Sequence, residues 1–196
     1  MNVSRTNSSN VNNTISTDED GEKINSNANI SVDDGMQRNF ANRFGIIKKL
    51  DTVGKFVSFS FNNRNIENKT DSQLNSKRNI YGDNPSEEIL DQQTQVDNDN
   101  DNYELEASFR QPLGNKLFLD FGYEYDHNQI SNARLVYDYD GNTNDYTLFN
   151  EILSSDFDFR NIQQTPSLSI RKDGKEFRYG VTAGYTITDL RNQDYI

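Results

Sequence analysis

The stretch Leu117-Phe-Leu-Asp-Phe-Gly-Tyr-Glu-Tyr-Asp126 decides the fold. Side chains of an extended strand point alternately to two faces. Leu117, Leu119, Phe121, Tyr123 and Tyr125 therefore share one face, and Phe118, Asp120, Gly122, Glu124 and Asp126 share the other. One face is apolar and the other largely charged, the pattern of a strand with different surroundings on its two sides. Taken singly, it also fits a half-buried strand of a soluble sheet.

The same period recurs outward in both directions. Phe177, Tyr179, Val181, Ala183, Tyr185 and Ile187 alternate with Arg178, Gly180, Thr182, Gly184, Thr186 and Thr188. Tyr103, Leu105, Ala107 and Phe109 alternate with Glu104, Glu106, Ser108 and Arg110, and Val57, Phe59 and Phe61 with Ser58, Ser60 and Asn62. Phe40, Phe44 and Ile46 share a face, and Leu168 and Ile170 close another segment. Six strands are predicted, about residues 37–50, 55–65, 102–112, 116–127, 156–171 and 176–190. At roughly 10–15 residues they exceed the usual ~5–6 and suit a tilted membrane crossing. The expected fold class is all-β, an antiparallel up-and-down meander forming part of a transmembrane β-barrel. Residues 1–36, rich in Asn, Ser and Thr with Asp-Gly pairs at 20–21 and 34–35, are expected to be a polar loop segment. Residues 37–196 are the expected barrel part.

The connections carry a second signal. Tight turns are expected around Asp51–Gly54, Leu113–Asn115 and Asp173-Gly174, and long loops over 66–102 and 128–155. Short turns at one end and long loops at the other characterise outer-membrane barrels. Asp173-Gly174 predicts a two-residue type I′ turn pairing Lys172 with Lys175, Ile170 with Phe177 and Leu168 with Tyr179. An odd loop pairing Pro112 with Lys116 puts Phe109 opposite Leu119, Ala107 opposite Phe121 and Tyr103 opposite Tyr125. Both registers keep apolar faces together, which a one-residue slip would not. Pro166 cannot donate to a ladder, so a bulge or a strand start is expected there.

Composition sets the outer bounds. The net charge of −11 argues against a nucleic-acid partner, which needs a basic footprint. Residues 66–102 alone carry nine acidic and three basic side chains, so much of the negative charge sits in one segment. A mean hydropathy of −0.94 would suggest disorder. Twelve Phe and ten Tyr oppose that, because disordered chains are poor in aromatics. With no Cys and one His, His127, thiolate and multi-histidine metal sites are excluded. The N-terminus lacks the apolar core of a signal peptide.

Tyr103-Glu-Leu-Glu-Ala-Ser-Phe-Arg-Gln-Pro-Leu-Gly-Asn-Lys116 resembles the Y-x-x-P-L-G-K-K hairpin of Bacteroidota outer-membrane β-barrel proteins of the TonB-dependent-receptor type. Leu117–Tyr125, Arg134–Asp140 and Leu148–Ser154 are similar to that family's next strand and loop. Lys48–Ser58 resembles its K-L-x-K-x-G-R-x-L-S turn, with Lys55 where Arg is usual; Arg110 stands where an acidic residue is common. The resemblance runs over roughly residues 20–190. It implies a place in the bacterial outer membrane and energy-coupled binding or import of a ligand. Such barrels follow a plug, for which no counterpart is seen, and use at least eight strands. A fragment of a longer barrel chain is therefore expected, its partners outer-membrane lipid, the rest of the barrel and a ligand.

Two faces follow from the alternation in that setting. Leu117, Leu119, Phe121, Tyr123, Tyr125, Phe177, Tyr179, Val181 and Tyr185 are the candidates for facing lipid. Glu104, Arg110, Asp120, Glu124 and Arg178 are the candidates for lining the lumen. The carboxylates Glu104, Asp120 and Glu124 lack an accompanying nucleophile or metal cluster, so no enzyme activity and no catalytic residue is expected. Val96-Asp-Asn-Asp-Asn-Asp-Asn102 lacks the glycine and glutamate of a calcium loop and reads as solvated. Asp138, Asp140 and Asn142 have calcium-loop spacing, making calcium the one cofactor weighed, but Thr143 stands where the sixth-position glycine belongs. The Asp140-Gly141 pair is more simply a hairpin tip. Pro85-Ser86-Glu-Glu is a candidate start for one helical turn. The alternative to the barrel is a soluble secreted β-sheet module for binding or adhesion.

Overall fold

The computed structural model describes residues 1–82 and 84–196. It is 82% strand, with no helix among the described residues to form a layer over the sheet. The strands are β1 (Asn2–Thr17), β2 (Lys23–Lys49), β3 (Phe56–Ile80), β4 (Ser86–Gly114), β5 (Leu117–Asp140), β6 (Asp145–Phe149), β7 (Ser155–Asp173), β8 (Arg178–Gly184) and β9 (Ile187–Asp194). They form one open antiparallel sheet in the order β1-β2-β3-β4-β5-β7-β8, with β6 also on β5 and β9 also on β7. The antiparallel meander is as read from the sequence; closure into a barrel is not seen.

Strand lengths correct the sequence reading. The segments expected as long loops, 66–102 and 128–155, are mostly strand. β3 and β4 pair without a register shift from Phe56↔Arg110 to Ile80↔Ser86, and β5 runs on to Asp140. Ser86 opens β4 rather than a helical turn. The connections are consequently short at both ends of the sheet, so the contrast of short turns and long loops does not hold. The expected polar loop, 1–36, is also strand: β1 pairs with β2 from Asn2↔Asn39 to Thr17↔Lys23. Asp20-Gly21 does turn the chain, with Gly21 at φ 85°. Asp34-Gly35 instead lies inside β2, opposite Asn7 and Thr6. Asn and Asp are weak strand formers alone, but here each such strand has neighbours that supply its hydrogen bonds.

Both predicted hairpins exist with the expected face parity and a different register. Around 112–118, Phe109 pairs with Phe121, Ala107 with Tyr123 and Tyr103 with His127, two residues from the expected partners. Leu113 is bulged between Pro112↔Phe118 and Gly114↔Leu117, which supplies the odd residue the parity demands. Asn115 (φ 49°) and Lys116 (φ 57°) then form the two-residue turn with both residues left-handed, the requirement of type I′. The type I′ turn expected at Asp173-Gly174 does not form. Asp173 pairs with Arg178, Ile170 with Val181 and Leu168 with Ala183, a shift of four residues. Residues 174–177 make the turn, closed by the Gly174 amide donating to the Phe177 carbonyl at 2.8 Å. Even slips preserve which residues share a face, so period two could not tell these registers apart.

Pro166 is neither a bulge nor a strand start. It pairs with Tyr123 inside an unbroken β5–β7 ladder. Its other side faces the last strand, where the Tyr185 amide donates to the Pro166 carbonyl at 3.3 Å. Proline has no amide to return the bond, and there the last strand divides into β8 and β9. The register is continuous across the break, from Ser167↔Gly184 to Gln164↔Ile187. β8 and β9 therefore act as one strand.

Asp51 holds the β2–β3 turn. Its Oδ1 accepts from the amides of Val53, Gly54 and Lys55 at 2.9, 2.8 and 2.7 Å. These donors, led by the Lys55 amide, pull its carboxyl below the usual aspartate value.

The left-handed Lys116 carries a conformational cost that glycine avoids. Lys116→Gly should stabilise the folded protein by about 0.5–1 kcal/mol and Lys116→Val should destabilise it. Urea unfolding midpoints at unchanged slope are the check.

Candidate functional site: an apolar and a polar face over six strands

The registers assemble rows of side chains across the sheet. On one face, Phe44, Phe61, Leu105 and Tyr125 are successive cross-strand partners on β2, β3, β4 and β5. Ile46, Phe59, Ala107, Tyr123 and Pro166 form the next row towards the turns. Val57, Phe109, Phe121, Leu168 and Ala183 form another, and Leu119, Ile170 and Val181 the one beyond it. The rows make a continuous apolar band across β2, β3, β4, β5, β7 and the β8–β9 strand. No second layer rests on it, so its side chains are exposed: Phe44 57%, Phe121 46%, Val181 70%. Among the described residues only Val136 is fully buried.

The candidates Leu117, Leu119, Phe121, Tyr123, Tyr125, Tyr179, Val181 and Tyr185 all belong to this face by register. Phe177 does not; it lies in the turn between β7 and β8. At the band's far edge from the turns, Tyr103 stacks with Phe61 at 6.4 Å between ring centroids and lies 5.9 Å from His127. Beyond that row the same face turns to Asp101, Asp99 and Glu67.

The candidates Glu104, Arg110, Asp120, Glu124 and Arg178 all belong to the opposite face. Arg110 and Asp120 are direct partners joined by two bonds, Nε to Oδ1 at 2.5 Å and Nη2 to Oδ2 at 3.0 Å. Asn62 donates to Glu104 and Ser60 to Glu106, each at 3.0 Å. Arg178 reaches Asp173 at 2.8 Å. Glu106 and Glu124 are opposite each other. A row of small residues, Ser58, Ser108, Gly122, Ser167 and Gly184, crosses the middle of this face. Its Ser58, Ser108 and Gly122 floor a depression of about 530 Å³ that Arg43, Glu106 and Glu124 also line. At Gly122 an added Cβ would come 2.5 Å from the Ser167 hydroxyl.

One cluster escapes the alternation argument. Phe118 and Phe56 lie on the polar face beside the turns, with the Arg110 guanidinium 4.8 Å from the Phe56 ring and 5.4 Å from Phe118. Arg171 sits 5.5 Å from the Phe118 ring. The signal was present in the sequence: Phe118 is the large apolar residue on the otherwise polar side of its strand. Stacking on guanidinium groups is what makes that position tenable.

Of the carboxylates weighed for catalysis, Asp120 is held by Arg110 and Glu104 by Asn62, while Glu124 lies opposite Glu106. The weighed calcium loop is a hairpin tip: the Asp140 carboxylate accepts from the Asn142 backbone amide at 2.8 Å, and Asp138 accepts from Gln92 and Asn150 at 2.6 and 2.9 Å. Among the described residues no group of three or more His, Asp or Glu side chains is arranged to hold a metal ion. Near this tip the Tyr146 hydroxyl donates to Asp91 at 2.7 Å, tying β6 to β4. That bond and partial burial push its phenol up to about 12. No protein family matches the chain, and no curated protein is similar to it.

Two outcomes follow from these contacts. Replacing Arg110 by Leu, or Asp120 by Leu, should lower stability by roughly 1–3 kcal/mol, the scale of a hydrogen bond to a charged group. The double replacement should cost less than the sum, as a double-mutant cycle of unfolding free energies would read. A raised folded pKa means that the Tyr146 contribution is complete below the unfolded value near 10 and fades as pH rises through about 12. Subtracting the phenolate titration of Tyr146→Phe from that of the wild type should leave one group ionising near 12.

Proposed function

We propose that this chain is a segment of an outer-membrane β-barrel receptor or transporter, with the apolar band towards lipid and the polar face towards a lumen. The observation that carries the reading is the height of the band. From Leu117 to His127 a strand rises about 34 Å at ~3.4 Å per residue. At a ~40° tilt that is roughly 25 Å, the height of the apolar belt of such barrels. The aromatics Tyr103 and Tyr125 lie near its outer margin, in keeping with an interfacial girdle.

Three further features support it. Six strands pass through the band, an even number, so its two free edges run antiparallel and suit closure by further paired strands. Those edges are β2 over 40–49, which β1 does not reach, and the outer side of β8–β9. An exposed edge is a pairing and aggregation hazard that barrel closure removes. The small residues Ser58, Ser108, Gly122, Ser167 and Gly184 suit the inner side of a curling sheet.

The band abuts the turns at 51–54, 115–116 and 174–177, whereas β2, β3, β4 and β5 run far past its other margin. The turn end is therefore assigned to the periplasm and the tall polar hairpins to the cell exterior. Energy-coupled binding or import of a ligand is what the resemblance to TonB-dependent receptors adds. A soluble adhesion or binding module would need a second layer over the band.

The chain has no cysteine to compete with an introduced one. Single-cysteine variants Phe59→Cys and Phe121→Cys, labelled with a fluorophore in vesicles, should be quenched by brominated lipid. Ser58→Cys and Ser108→Cys should be quenched far less. Equal quenching at all four positions, or none, would refute the lipid-facing band.

A further inference from the structure

On the band's face, one row beyond His127, lie Phe40, Asn65, Asp101, Gln129, Arg160 and Arg191. The two arginines are direct cross-strand partners on β7 and β9. Like charges placed opposite each other destabilise a sheet unless something neutralises them. Arg160 makes no ion pair among the described residues. Among the described residues Arg191 pairs with Asp189, on its own strand, donating from Nε at 3.5 Å and from Nη2 at 3.2 Å, with both side chains well exposed, 67% and 49%. Such an exposed pair is weak and leaves the Nη1 amino group for a second partner. The nearby Asp158 accepts from the Tyr195 hydroxyl at 2.9 Å. Between the arginines is an open cleft of about 260 Å³, also lined by Gln129, Asp158 and Gln193.

The level of this row decides what the cleft meets. It stands about 7 Å along the strand above the His127 row, or roughly 5 Å above the apolar band once tilted. The polar headgroup zone begins at that height, outside a hydrocarbon core of ~30 Å in a bilayer of ~40–45 Å. We infer that Arg160 and Arg191 form a site for the phosphate of an anionic lipid headgroup, gripped between their two guanidinium groups. This rests on the membrane reading above. Planar guanidinium forks are suited to phosphate oxygens, and the Gln129 and Gln193 amides add donors. Elsewhere this row carries Asp101, and the chain as a whole is acidic at −11. Attraction to an anionic lipid would therefore be confined to the β7–β9 side.

The test uses the whole chain with phosphatidylcholine vesicles, with and without phosphatidic acid, read by flotation. The wild type should insert into phosphatidylcholine and partition about fivefold or more strongly when phosphatidic acid is present, the scale expected for basic side chains at an anionic surface. The double variant Arg160→Gln, Arg191→Gln should insert equally into both vesicles. The double variant Arg160→Lys, Arg191→Lys should recover part of the preference. Insertion of the wild type into phosphatidylcholine with no gain from phosphatidic acid overturns the headgroup site and leaves the membrane reading standing. So does a preference that the Gln variant keeps. Failure to insert into either vesicle overturns both. Inorganic phosphate giving the detergent-solubilised wild type a thermal shift as large as phosphatidic acid gives would assign the arginines to a free ion and overturn the lipid site.

Discussion

In a single antiparallel layer the strands hold one another through backbone hydrogen bonds, but neither face is buried by the fold itself. That constraint governs this molecule. A soluble domain encloses an apolar core between two layers, whereas among the residues described here Val136 alone is fully buried. The ladders fix which side chains lie together, and they gather the aromatic and aliphatic residues of six strands onto one side. Whatever covers that side must come from outside the sheet. A lipid bilayer and a second protein layer are the two environments that would accept it. The uncovered width, the polar opposite face and the two free edges at the level of the band all agree with the first.

Above the band the chemistry changes while the sheet continues. There both faces are mostly polar, and side-chain hydrogen bonds link the strands: Asn132 donates to Asn98, Asn65 to Asp101, and Lys69 bridges Glu67 and Asp97 at 3.2 and 2.8 Å. Such exposed pairs contribute little each. They nevertheless satisfy polar groups that an apolar strand would not need to pair. The low mean hydropathy of the chain comes largely from this region. It masks an apolar band that occupies only part of each strand.

The alternation of Leu117–Asp126 made the sheet and its two faces legible, including the common face of Glu104, Arg110, Asp120, Glu124 and Arg178. Register was not legible to the same degree. A slip of two residues at 112–118 and of four at 173–178 leaves every side chain on its face, so the turn itself must choose. At 112–118 it does so through a bulge at Leu113 and left-handed Asn115 and Lys116. Residues 66–102 gave no strand signal because Asn, Asp, Gln and Ser fill both faces and leave no period to read. Their order comes from neighbouring strands. Pro166 cannot donate to a ladder, but the consequence falls on its partner strand, which breaks at Tyr185, rather than on its own.

The claim that the band needs an apolar solvent is tested most directly by the state of the intact chain in plain buffer compared with detergent. Sedimentation and thermal melting monitored by circular dichroism would be measured in both. The account predicts aggregation or loss of β-structure in buffer, and a monodisperse β-rich species with a cooperative melt in detergent micelles. A monodisperse monomer that melts cooperatively in plain buffer, with no gain from detergent, would contradict it.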